Sequence, residues 1–214
     1  MVERLQKSKK GATFVDLDGT LLAANSMHIF MIHLPWMLLR RKAVGAHIAS
    51  LWWMGLRTLH AISHRSMKWH LTKSARRHLL DSDWEWLASR MARRINHTVT
   101  DYVDAPRLSE CSVYIATAAM EEYAAPLARL LGYDGVVATR FTEDKKDYLE
   151  MRGSAKLAGI QELQRDKELR LESFITDHTD DFPTASAYPG LTILLNPSKK
   201  TAAIFRRGGV TRYL

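Results

Sequence analysis

A short, largely apolar run, Ala12-Thr13-Phe14-Val15, leads straight into Asp16-Leu17-Asp18-Gly19-Thr20. The run reads as a buried strand, and the Gly-containing segment after it reads as the turn that ends it. Two carboxylates two residues apart point the same way if the extended backbone continues that far. Like charges that close repel one another unless they share a cation or a proton. The chain therefore sets a pair of acids at the end of a strand.

Further strands follow, but only after a long interval. Residues 13–17, 112–116, 135–138, 173–176 and 191–195 carry strand patterns. Residues 120–131, 154–164 and about 180–187 carry helical patterns between them. Strands alternating with helices define an α/β protein with a mainly parallel, Rossmann-like sheet. Residues 21–107 contain no convincing strand. They read as helices near 27–41, 43–64, 66–79 and 83–96, and imply an inserted α-helical cap over the site. The expected division is a catalytic core of residues 1–20 and 108–214, with a helical cap of 21–107. The last cap helix has a capping box of Ser82 and Glu85, with Asp83 in its first turn. Its apolar stripe is Trp84, Leu87, Met91 and Ile95.

Charge is uneven. The formal net charge is +8, and residues 21–107 hold thirteen Lys or Arg against five Asp or Glu, so this segment carries the whole excess. It also holds all six tryptophans, and residues 21–80 contain no acid at all. The single cysteine, Cys111, excludes an internal disulfide, fits a reducing, cytoplasmic compartment, and reads as a buried thiol beside a strand. The basic residues 1–10 do not read as a signal peptide. Residues 29–39 are too short to span a bilayer, and residues 43–62 carry His47, Arg57 and His60.

Three more features belong with the acid pair. Val113-Tyr114-Ile115-Ala116-Thr117-Ala118-Ala119 reads as a strand ending in a hydroxyl and small residues before a helix, a place where an anionic oxygen can be held. Lys156 stands near the start of a helical pattern. In Phe174-Ile175-Thr176-Asp177-His178-Thr179-Asp180-Asp181, acids again cluster just past a strand, where open α/β sheets bind ligands.

In this order, the four segments resemble the four motifs of the haloacid dehalogenase superfamily. The helical insert after the first motif, and Asn196-Pro197 after the last strand, are similar to its phosphoserine-phosphatase-like branch. The resemblance implies a phosphomonoester hydrolase acting on a small-molecule substrate. Asp16 would be the nucleophile and form an aspartyl-phosphate, and Asp18 would be the general acid and base. Mg2+ would lie between Asp16, the Asp18 backbone carbonyl and Asp177, with Asp181 in support, directly or through water. Thr117, Lys156 and the backbone near Ala118 would hold the phosphoryl oxygens. The fourth motif departs from the family pattern, with His178 in it and Asp180 competing with Asp181. Lys145 and Lys146 compete with Lys156.

Phosphoserine phosphatases of that branch carry a cap glutamate where this chain has Asn25, which argues against phosphoserine as substrate. Basic residues beside Trp-rich apolar stretches suit a lipid phosphate, or another anionic phosphate with an apolar part, met peripherally at an anionic membrane. The same aromatics also read as the cap's own core. Phosphoryl transfer to another acceptor would use the same site. A basic nucleic-acid-binding module is the rival class, but it leaves the acids unexplained and has no recognition-helix motif. His60 and His64 read as one helical turn apart and lack a third ligand, so no zinc is assigned.

Overall fold

The computed structural model describes residues 10–105 and 111–214. The basic stretch ahead of residue 10 and the expected boundary at 107/108 lie outside the described residues. Strands β1 (Lys10–Val15), β2 (Ser112–Met120), β3 (Gly135–Thr139), β4 (Leu169–Thr176), β5 (Thr192–Leu194) and β6 (Arg212–Tyr213) form one sheet. Its order is β3-β2-β1-β4-β5-β6, and every pairing is parallel. Parallel strands need covering on both faces, and the C-terminal halves of β1 and β4 are accordingly buried throughout. Phe14, Val15, Ile115, Phe174 and Ile175 are fully buried. The strand order reverses between β1 and β4, and the crevice beyond the carboxyl ends of two such strands is where open α/β sheets bind ligands.

Among the described residues, five helices come between β1 and β2: α1 (Ser26–Arg40), α2 (Val44–Thr58), α3 (His64–His78), α4 (Asp81–Ala92) and α5 (His97–Val103). α6 (Glu121–Leu130), α7 (Ser154–Asp166), α8 (Phe182–Ala187) and α9 (Lys199–Arg207) follow among the later strands. The inserted helices share a core with the sheet. Phe30 of α1 packs on Trp84 of α4 and on Tyr123 of α6, with ring centroids 5.9 and 5.8 Å apart. The Tyr123 hydroxyl lies 3.2 Å from Ser26 Oγ, so the polar tip of this buried ring is also paired.

Several local expectations change. α4 begins at Asp81, with Leu80 before it, so Ser82 is not its cap. The Asp83 carboxylate instead accepts from the Leu80 N–H at 2.9 Å and from Arg41 Nε at 2.7 Å. The ion pair fixes Asp83 one turn into the helix and gives it the back-reaching role expected of Glu85. The helix expected at 43–64 is broken. α2 ends at Thr58, His60 takes φ +57°, and a new helix starts at His64, so His60 and His64 do not share a helix. α5 was not expected; it is only seven residues long and β-branched in four places, too short for a 3.6-residue pattern to emerge. Cys111 is half-buried just before β2, not buried. The aromatics divide: Trp69 and Trp84 are core residues, whereas Trp36 and Trp52 are exposed.

Candidate active site

β1 ends at Val15, and the next residue keeps the sheet register: Asp16 N–H donates to the Ile175 carbonyl of β4 at 2.9 Å. The backbone then folds over itself. Leu21 N–H donates to the Asp16 carbonyl and Leu22 N–H to that of Leu17. Gly19 takes φ +80°, a left-handed conformation that glycine adopts without penalty. A β-carbon there would overlap Asp177 Oδ2, so the turn needs glycine twice over. Thr20 Oγ1 donates to Asp177 Oδ1 at 3.1 Å, tying the first motif to the end of β4.

Asp16 is 6 % exposed, and Lys156 Nζ donates to its Oδ1 at 2.7 Å. The same ammonium lies 2.6 Å from Asp181 Oδ1, and Thr176 Oγ1 donates to the other Asp181 oxygen at 2.7 Å. Lys156 reaches this point from the first turn of α7, whose N-cap Gly153 has φ +58°. Of the competing residues, Lys145 turns to Ser66 Oγ, and Asp180 pairs with Arg152 at 2.7 Å. Lys156 and Asp181 are therefore the members brought to Asp16. Asp18 Oδ1 accepts from the Ser26 N–H at 2.6 Å, so the start of α1 holds the second acid.

The electrostatics follow from burial. Desolvation pushes the Asp16 carboxyl up to about 8 against the pull of Lys156, and Asp181 and Asp18 push the same way. Burial alone would lower Lys156, but Asp16 and Asp181 carry it above the usual lysine range. Asp18 is raised by burial, partly offset by the Ser26 N–H, and Asp177 is raised by burial, partly offset by Thr20. Two buried carboxylates thus share one ammonium, with Asp18 and Asp177 close by. This surplus of negative charge is chemistry that a hard, oxygen-loving cation would relieve. Among the described residues, no three acidic, His or Cys side chains are arranged to share one ion. The set named above asks for the Asp16 and Asp177 carboxylates and a backbone carbonyl, all oxygen donors of the kind Mg2+ takes.

Asp16, Asp18, Lys156 and Asp181 line a cavity of about 430 Å³ with Gly19, Ala24, Asn25, Ala118, Arg152, His178 and Asp180. Two expected members stand differently. Asp177 lies behind Gly19 and not on the cavity wall. Thr117 is not at a helix start, because β2 runs on to Met120. It is 1 % exposed, and its Oγ1 accepts from the Ala119 N–H at 3.0 Å. The β2–β3 register slips between Ala116 and Met120, and this irregularity presents Ala118 to the cavity. His178 is exposed and caps the turn at Thr179–Asp181, its Nδ1 accepting from Asp180 N–H.

Sequence reasoning missed Lys68. This lysine of α3 is 3 % exposed, and its Nζ donates to the Ala118 carbonyl at 2.7 Å and to Glu150 Oε1 at 2.8 Å. Lys68, Leu71, Thr72 and Ala75 form one buried helical face. A lysine at the first position of such a face was the available signal. Arg152 was missed too, and nothing local marks it.

Comparisons with known proteins identify the family and the fold. The haloacid dehalogenase-like hydrolase family matches residues 13–186. The chain belongs to that family. A search of the curated proteins finds no match. Among solved structures, a protein of unknown function from Bordetella pertussis Tohama I is similar at 16 % identity and a TM-score of 0.68, covering 97 % of this chain and 99 % of that one. A phosphoserine phosphohydrolase-like protein from Francisella tularensis is 15 % identical with a TM-score of 0.55, over 96 % and 94 % of the two chains. A probable phosphoserine phosphatase from Vibrio cholerae is 11 % identical with a TM-score of 0.59, over 95 % and 60 %. At these identities the likeness is one of fold.

Proposed function

We propose that this protein is a magnesium-dependent phosphomonoester hydrolase that works through an aspartyl-phosphate at Asp16, with residues 21–107 as its cap. The observation that carries the reading is the buried Lys156 ammonium shared by Asp16 and Asp181 at the carboxyl ends of β1 and β4. A carboxylate held there is fixed in orientation and shielded from water, as a nucleophile toward phosphorus must be. Asp18, braced by the Ser26 N–H, protonates the leaving oxygen and then takes a proton from the hydrolytic water. Lys156 offsets charge on the phosphoryl oxygens, and the backbone at Ala118 faces them. Thr117 keeps an O–H proton to donate, since its bond to Ala119 uses only a lone pair. Asp16, Asp177 and the Asp18 carbonyl would hold Mg2+, with Asp181 behind them. When bound, the ion supplies charge neutralisation for nucleophile and phosphoryl group.

The substrate is a lipid phosphate or another anionic phosphomonoester with an apolar part. Asn25 lines the cavity where an ammonium-reading carboxylate would be needed, and its side chain caps α1 by accepting from the His28 N–H. One turn further along α1, a groove of about 650 Å³ opens between α1, the end of α2 and the start of α3. Met31, Ile32, Met54 and Met67 supply its apolar wall, and Arg57, His60 and His64 its polar rim. The test is a Mg2+-dependent phosphatase screen across sugar, nucleotide, amino-acid and lipid phosphates. Turnover is expected on the apolar members and is expected to vanish in Asp16→Asn. Full activity of Asp16→Asn would refute the mechanism.

A further inference from the structure

α2 is an amphipathic helix turned the wrong way for a core element. Its only fully buried residue is Ser50, while Ile48, Leu51 and Trp52 stand in a helical row on its outer side, with Trp52 63 % exposed. α1 adds a second exposed row, Ile32, Trp36 and Leu39, spaced four and three residues apart. The two helices are pinned together by His47 Nδ1, 2.8 Å from the Pro35 carbonyl, so the rows sit on one adjoining pair. Most of the large apolar side chains exposed among the described residues fall on this pair or at its ends. A contiguous apolar surface rimmed by polar groups marks an interaction site.

The charges around it select the partner. Residues 21–80 contain no Asp or Glu, and Arg40, Lys42 and Arg57 flank the two rows. Arg40 lies over the Trp36 ring at 4.7 Å, placing a cation and an indole together at the edge. Basic side chains and indoles around a row of aliphatic ones match an anionic bilayer, with headgroups meeting the cations and acyl chains the apolar row. A second copy of the chain fits worse. A two-fold contact would set this acid-free basic surface against itself. Nucleic acid would use the cations and indoles but has no use for Ile32, Leu39, Ile48 and Leu51.

We propose that the outer face of α1 and α2 docks this protein peripherally on anionic lipid bilayers. Docking does not depend on the catalytic reading, although Ile32 belongs both to this face and to the groove beside the catalytic cavity. The test is co-sedimentation of the full chain with vesicles of phosphatidylcholine, alone or with about one third phosphatidylglycerol. The wild-type chain is expected to sediment with the anionic vesicles and to be released as salt rises. The double variant Ile48→Glu/Trp52→Glu, changed only at exposed positions, is expected to lose about tenfold or more in binding while its far-UV circular dichroism is unchanged. Leu130→Glu, an exposed apolar residue on α6 away from this face, should bind like wild type. Asp16→Asn should also bind like wild type, which separates docking from turnover. Absence of sedimentation at low salt, or equal binding by the double variant, overturns the proposal. So does a dimer, or an RNA complex, that the double variant abolishes while vesicles bind neither form.

Discussion

Lys68→Met removes an ammonium while keeping most of its stem. Two bonds are lost, one to the Ala118 carbonyl and one to Glu150, and the Lys68 and Glu150 side chains are 4 % and 14 % exposed. Breaking a buried pair from one side costs about 3–5 kcal/mol, because the surviving charge stays buried. The residual exposure of Glu150 allows some rehydration, so the lower figure, about 3 kcal/mol, applies. With a urea slope of about 3 kcal/mol/M for a chain of this size, the unfolding midpoint should fall by about 1 M. Urea titration followed by circular dichroism measures this directly. Adding Glu150→Gln removes the orphaned charge and should recover about 1 kcal/mol of the loss. A Lys68→Met midpoint within about 0.2 M of wild type, or about 0.5 kcal/mol, would show that this lysine is solvated and does not fasten α3 to β2.

Gly19→Ala forces a side chain into a left-handed position, costing about 1–2 kcal/mol, and pushes on Asp177. Its turnover should fall more steeply than its stability, as read by kcat beside a thermal melt. Phe30→Ala empties the space between Trp84 and Tyr123 and should destabilise the chain by about 3–5 kcal/mol in the same urea titration. Chelation of divalent ions with EDTA should abolish turnover with unchanged far-UV circular dichroism, and added Mg2+ should restore it.

How much of this was legible depended on whether the signal was local. Asp16, Gly19 and Thr20 announce a strand-end turn because the residues that make it are neighbours in sequence. Lys156 and Asp181 were legible by order along the chain, and the ion pairs place them on Asp16. Thr117 was placed at a helix start because small residues after an apolar run look like a strand ending. The strand instead continues through an irregularity that its pairing with β3 imposes. Lys68 and Glu150 are 82 residues apart, and no window along the chain joins them. β6 is two residues long, below what alternation can reveal. The exposure of Trp36 and Trp52 beside the burial of Trp69 was equally out of reach, since all three sit in apolar, basic stretches, whereas Trp84 was legible from its helical stripe.

The central claim is a covalent phosphoryl group on residue 16. Asp18→Asn slows both hydrolysis of that intermediate and departure of the alcohol, so with a substrate carrying a good leaving group the intermediate should accumulate. Acid quenching within one turnover, followed by peptide mapping in a mass spectrometer, should find one phosphoryl group on the peptide containing Asp16. Substrate turned over by the wild-type chain with no phosphoryl group on that peptide in either form would contradict the account.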